Sequence, residues 1–300
     1  MNGRIAALIF TFALALPAGA QERYPSPEKA AEALVEVVTP PAPDEKRLAT
    51  LFGKDWRETV PLGSFERKDV EAFLAMYRQK HAFQDAPQGR KILAVGDMPW
   101  TFPVPLVQDD MGWHFDVKAG AEELRIRRIG RNELDAIESL KAYHDAQMEY
   151  ALVDRDGDGI LEYAQKLVST DGKHDGLFWA DDDSGEISPL GPLFGDDTPK
   201  ADWHGYRYRI LTAQGASAPG GAFDYLLGGN MVRGFALVAW PAKYGDTGVK
   251  TFMISHDGVI FEEDLGENSE AMAKAMKSFD PDSAWKETET GDADATQPEK

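Results

Sequence analysis

Asp154, Asp156, Asp158 and Glu162 place four carboxylates within nine residues of the stretch Asp154-Arg155-Asp156-Gly157-Asp158-Gly159-Ile160-Leu161-Glu162-Tyr163-Ala164-Gln165. Like charges crowded this closely repel one another unless a cation or solvent relieves them. The opening has the D-x-D-x-D-G order of a calcium loop, in which alternate carboxylates turn inward around one ion and glycine permits the sharp bend. The predicted ligands are the side chains of Asp154, Asp156 and Asp158, a backbone carbonyl near Ile160, and Glu162 directly or through water. The twelfth position, where a sensor loop carries a bidentate Glu, is Gln165. Loss of that ligand predicts weak binding, at about 0.1–1 mM, as in extracellular modules. The implied chemistry is a structural staple held by calcium rather than catalysis or sensing. The plain alternative is a solvated acidic turn.

No other grouping competes with this loop. The six histidines, His81, His114, His144, His174, His204 and His256, stand singly, without the H-x-H or H-E-x-x-H spacing of zinc chemistry. Gly215-Ala216-Ser217-Ala218-Pro219 has proline where a nucleophile elbow needs its second glycine. Neither common phosphate-binding glycine loop is present. With 51 acidic residues, carboxylate pairs suited to glycoside hydrolysis arise by accident and identify nothing. Asp181-Asp182-Asp183 lacks the alternation of a second ion site and reads as a solvated loop. Arg125, Arg127, Arg128 and Arg131 form a basic strip that either docks an anionic polymer or pairs within the molecule. Trp100, Phe102, Trp113 and Phe115 either line a ligand cavity or pack a core.

The compartment follows from the first twenty residues. A short basic start ending at Arg4, an apolar run from Ile5 to Leu16 and the Ala18-Gly19-Ala20 pattern predict a signal peptide over 1–20, cleaved before Gln21. No later apolar run approaches the roughly 20 residues of a membrane helix. The absence of cysteine removes disulfides and lipoprotein anchoring from consideration. A formal net charge of −19 argues against nucleic acid and anionic lipid as partners. The expectation is a soluble periplasmic or secreted protein with no membrane span after cleavage.

The elements that must position the loop are legible from periodicity. Ser26-Pro27-Glu28 opens a helix with Ala31, Leu34, Val35 and Val38 on one face. A second helix runs from Asp69 through Val70, Phe73, Leu74 and Tyr77. Strand patterns follow at Lys91–Val95 and Gly112–Val117, with an extended Trp100–Leu106 between them. Helices first and an antiparallel sheet after is the order of an NTF2-like cone. A long helix capped at Asn132, with Leu134, Ile137, Leu140, Tyr143, Gln147 and Tyr150 near a 3.5 period, then runs into Asp154. Strands are predicted at Tyr206–Ala213, Phe223–Leu227, Gly234–Trp240, and Lys250–Ser255 joined to Val259–Glu262 by a His256-Asp257-Gly258 turn. Ser269–Phe279 closes as a helix. The fold class is α+β, with an NTF2-like domain at 21–128, a second α+β domain at 129–281 and a disordered acidic tail at 282–300.

The long helix with Ala142-Tyr143-His144-Asp145-Ala146-Gln147-Met148-Glu149-Tyr150, the acidic loop and the following meander resemble the head of type IV pilins and type II secretion pseudopilins. In that group the apolar export helix continues into the head. Here over a hundred residues separate the two, so the resemblance implies a pilin-like head without filament assembly. Several blocks together resemble an exported bacterial family, domain of unknown function 2950: Trp100–Leu106, Arg128–Leu134, Asp154–Gln165, Ser188–Leu193, Arg209–Gly215 and Gly234–Ala242. That resemblance implies a fold and a compartment but carries no reaction. The predicted function is a non-catalytic binding or envelope-assembly protein with a structural calcium site. Its partner would be an envelope protein or an anionic polymer. The alternative is a periplasmic hydrolase or ligand-binding enzyme using an N-terminal cavity or an interdomain groove, and a plainer one is a module that calcium only stabilises.

Overall fold

The computed structural model describes residues 21–39, 44–54, 56–59, 67–182, 185–191 and 202–288. The predicted signal peptide at 1–20 and residues 289–300 of the predicted tail lie outside the described residues. Antiparallel sheets and packed helices make the fold α+β, and the chain divides into two compact units, Met1–Leu124 and Arg125–Lys300.

In the first unit, α1 (Pro27–Val38) starts where Ser26 accepts a bond from the Lys29 amide, with proline at a first-turn position where its missing N–H costs nothing. It buries Ala30, Ala31, Leu34 and Val37. A short helix, α2 (Glu45–Phe52), is capped by Asp44 and buries Leu48, Leu51 and Phe52; its single apolar turn was too brief to stand out by periodicity. After α3 (Trp56–Thr59) and α4 (Arg67–Gln79), strands β1 (His81–Ala86), β2 (Arg90–Val95), β4 (Leu106–Asp109) and β5 (Gly112–Phe115) pair in sequence order. β3 (Trp100–Thr101) pairs with β2. Of the aromatic group, Phe102, Trp113 and Phe115 join the core while Trp100 is exposed: Phe102 lies 5.8 Å from Phe73 and 6.0 Å from the fully buried Phe115, ring centre to ring centre. Tyr24 exchanges both backbone bonds with Trp113, at 2.7 and 2.8 Å, tying the segment just after residue 20 to β5.

The long helix, α5 (Val117–Tyr150), begins fifteen residues before the predicted cap at Asn132, and the division between units falls inside it. Its start is set by Asp116, whose carboxylate accepts from the Ala119 amide at 3.0 Å. Asn132 does not cap at all; its amide donates to the Thr247 carbonyl at 2.7 Å. A capping residue and a surface Asn bonded to a distant loop look alike in sequence. Two residues of the basic strip are likewise engaged within their own unit, Arg125 with the Gly245 carbonyl and Arg128 with Asp246.

The second unit is built on strands β6 (Tyr206–Leu211), β11 (Ala236–Pro241), β12 (Thr251–Ser255), β13 (Ile260–Glu263) and β14 (Lys286–Glu287), in the order β14-β13-β12-β11-β6, all antiparallel. β11 is buried at every position, as a central strand covered on both faces must be. From α5 it receives Ala136, Leu140, Tyr143 and Ala146 in a common core, and Tyr143 donates to the Ala236 carbonyl. Leu134, predicted on the packed face, is exposed instead. Smaller pairs form between β7 (Ala213–Gln214) and β8 (Phe223–Asp224), and between β9 (Leu226–Leu227) and β10 (Asn230–Met231). The closing helix spans Ser269–Ala275. β14 corrects the predicted tail: 286–287 pair with β13 and the Thr288 amide donates to Ile260. Polar composition there reflects an edge strand rather than an unfolded segment.

Two glycines of α5 face opposite conditions. A Cβ at Gly130 would meet nothing within 4 Å, whereas at Gly120 it would lie 2.7 Å from Val104. Gly130→Ala should therefore stabilise by about 0.5–1 kcal/mol through helix propensity. Gly120→Ala should destabilise, since a tightly packed site must shift to admit it. Urea unfolding of the two variants checks the opposite signs.

Candidate metal centre

The acidic loop begins where α5 ends. The last helical carbonyls are met by the amides of Ala151, from Gln147, and Leu152, from Glu149, and the chain then turns outward at Asp154. Gly157 and Gly159 hold φ of 77° and 84°, a left-handed conformation that costs little only without a Cβ. These two bends fold the loop back on its first carboxylate. Asp154 accepts from the Gly157 amide at 2.8 Å and the Gly159 amide at 3.0 Å. Asp156 accepts from Asp158, and Asp158 from Ile160 at 2.8 Å.

The result brings together three of the predicted ligands. Asp154, Asp156 and Asp158 each present one carboxylate oxygen so that all three lie within 4.8 Å of one another, on exposed side chains. Calcium–oxygen distances of about 2.3–2.6 Å let two ligands across one ion stand about 5 Å apart, so the three fit a shared calcium shell. Each ionised carboxylate has about four acceptor sites, so the amide bonds leave capacity for an ion. Glu162 is not among the three; its carboxylate accepts from the Met231 amide at 3.3 Å. Ile160 enters through its amide bond to Asp158.

Electrostatics differ across the loop. The amides of Gly157 and Gly159 hold the Asp154 carboxyl below its ordinary value, because they favour its charged form. Burial raises the Glu162 carboxyl, and the nearby charges of Asp156, Asp158 and Asp154 raise it further. The one basic residue inside the loop, Arg155, turns away to Glu186 at 3.0 Å and to the Tyr150 carbonyl.

What docks the loop was not read from the sequence. Gln147, fully buried on α5, donates to the Ala164 carbonyl and accepts from the Ala164 amide, both at 2.8 Å. The β9–β10 hairpin grips the other side. Asn230 donates to Asp158 at 2.7 Å, the Tyr163 amide to Met231 at 2.8 Å, and Gln165 to the Gly229 carbonyl at 2.7 Å. Gln165 thus serves as a fastening, where a sensor loop would have its twelfth ligand. The Gly228-Gly229 pair was the available signal of a tight turn here, but nothing local said which loop the turn would meet.

An α+β chain whose second unit presents a docked acidic loop is the class that fold and site define. A family model described as Protein of unknown function (DUF2950) matches residues 21–288, and the chain belongs to this family. Comparison with curated proteins finds no match, and comparison with solved structures finds none.

Replacing Gln147 by Leu preserves volume but leaves the amide and carbonyl of Ala164 without their partner. The expected cost is about 2–6 kcal/mol, the sum of two buried unsatisfied groups. Chemical denaturation of Gln147→Leu checks it; a cost near zero would show that the loop exit is held by other means.

Proposed function

We propose that this chain is an exported, non-catalytic binding or envelope-assembly protein whose acidic loop holds a structural calcium ion. The observation that carries the reading is the convergence of Asp154, Asp156 and Asp158 within 4.8 Å on a loop whose exit is fastened from two sides. An ion there would relieve three mutually repelling carboxylates and fix the junction between α5 and the hairpin β9–β10. Glu162 would join directly or through water, as the ninth position of such loops does, and the Ile160 carbonyl would supply the seventh. With Gln165 committed to Gly229, affinity would fall in the millimolar class suited to a calcium-containing compartment.

Export is supported by the apolar segment with its Ala18-Gly19-Ala20 pattern and by a family match that begins at 21. No described helix is long and apolar enough to cross a membrane. In this reading the protein is periplasmic or secreted, with an NTF2-like first domain, helices before sheet, and a pilin-head-like second domain, long helix before meander. An envelope protein is the better partner than an anionic polymer, since Arg125 and Arg128, which would have met the polymer, bond within their own unit.

At a Kd of about 1 mM, about 10 mM calcium should add about 1.4 kcal/mol to stability. For a protein of this size that is a rise of about 3–6 °C in Tm. Scanning calorimetry in calcium and in chelator measures the difference, with titration calorimetry giving Kd. Asp156→Ala should abolish the difference while leaving the chelator-state midpoint nearly unchanged. Equal midpoints for the unaltered protein in calcium and in chelator would sink the calcium reading.

A further inference from the structure

A second cluster of ionisable side chains lies beside the end of α5 and owes nothing to calcium. His174 is stacked on Trp179, ring centres 4.2 Å apart and planes 12° from parallel. Its Nδ1 lies 3.0 Å from Glu186 Oε2 and its Nε2 lies 2.8 Å from Asp182 Oδ2. Ionised carboxylates only accept, and a neutral imidazole carries one N–H, so two carboxylate bonds require a proton on both nitrogens. The geometry therefore defines an imidazolium.

The circuit extends beyond the ring. Glu186 Oε1 accepts from Arg155 at 3.0 Å, and the Arg155 side chain is only 8% exposed. Its guanidinium stands 4.4 Å over Tyr150 and 5.7 Å from Trp179. Tyr150 donates its hydroxyl to the His174 carbonyl at 2.9 Å, and Trp179 donates its indole N–H to the Glu186 carbonyl at 3.1 Å. The charged groups facing His174 are Asp182 and Glu186, with Arg155 behind Glu186; neighbouring Asp175 is taken by Lys166 and Thr170. While His174 is protonated its cation lies between the two carboxylates. Loss of that proton removes this cation and turns a ring lone pair toward a carboxylate.

We propose that His174, Asp182 and Glu186, with Arg155 behind Glu186, form a proton-operated latch, which holds the chain at Asp182 and Glu186 against the ring of His174 while His174 is charged and releases it when the proton leaves. Burial pulls the imidazole pKa down, but the bonds to Asp182 and Glu186 outweigh it and hold the group above its ordinary value. A raised folded-state value means that the stabilisation is fully present below about pH 6.5, the unfolded value, and is lost as pH rises through the higher folded value. The latch is thus closed in mildly acidic surroundings and opens toward alkaline ones.

Hydrogen–deuterium exchange of residues 174–182 and 185–190, normalised to β12 in the same sample, tests the latch between about pH 5.5 and about pH 9. The normalised rate should rise at least about threefold with a midpoint above about pH 6.5. His174→Gln, which keeps a polar side chain but cannot hold the charge, should exchange fast at every pH with no step. Asp182→Asn, which keeps the histidine, should move the midpoint down, read in parallel from the ring resonances of His174 by NMR. If His174→Gln does not fold by circular dichroism, the Asp182→Asn shift decides alone. A flat rate in the unaltered protein, a step retained in folded His174→Gln, or an unmoved midpoint in Asp182→Asn would each overturn the proposal.

Discussion

The buried carboxamide of Gln147 is the interaction on which the second unit turns. The chain leaves α5 at Tyr150, and among the described residues before Tyr206 the backbone pairs in isolated bridges, Tyr163 with Met231 and Val168 with Phe178. Unpaired buried amides and carbonyls are costly, so such a passage needs fixed points. Gln147 supplies one by imitating a strand, taking both the amide and the carbonyl of Ala164. It is held in turn by Tyr143, whose hydroxyl reaches the Ala236 carbonyl beside the central strand. Helix, loop and sheet thus share one chain of bonds, and the position of the acidic loop follows from it.

Negative charge is the second constraint. With 51 acids against 32 lysines and arginines, not every carboxylate can have a cation of its own, and the structure distributes partners unevenly. The loop aspartates are met by backbone amides and by Asn230, neutral donors that stabilise charge without cancelling it. Glu186 and Asp182 obtain His174 and Arg155, the former shared between both carboxylates. Glu133 sits between these cases and accepts the amides of Val249 and Lys250. The three loop aspartates thus keep their charge against neutral donors, while Glu186 and Asp182 meet cations.

Local order was legible in the sequence, and partnership across distance was not. Ser26-Pro27 marked a helix start because a cap and a proline act within one turn, and the structure starts α1 there. The turn at His256-Asp257-Gly258 is likewise local, and strands end and begin on either side of it. The three aspartates could be read because their convergence depends only on two glycine bends between them. Asn132, by contrast, carries the composition of a cap and bonds to Thr247 instead. Gln147 looked like one more position on a helical face. Lys286–Glu287 is polar because edge strands are, and only its partner Phe261–Glu262 distinguishes it from a tail. Each of these residues was misread where its meaning lay in a partner outside its own element, from 17 positions away for Gln147 to 115 for Asn132, or in a strand it completes.

The fastening also bears on what kind of metal loop this could be. In a calcium sensor the twelfth residue moves onto the ion and draws its helix with it, so binding becomes opening. Here the twelfth residue is tied to Gly229, the eleventh to Gln147, the tenth to Met231, and the fifth to Asn230. Four anchors on two different elements leave the exit of the loop little freedom to convert ligand exchange into motion. An ion entering this site would meet carboxylates already gathered, and its binding energy would go into holding the junction. The entrance side is held differently, by Arg155, which pairs with Glu186 and bonds back to the Tyr150 carbonyl at the end of α5.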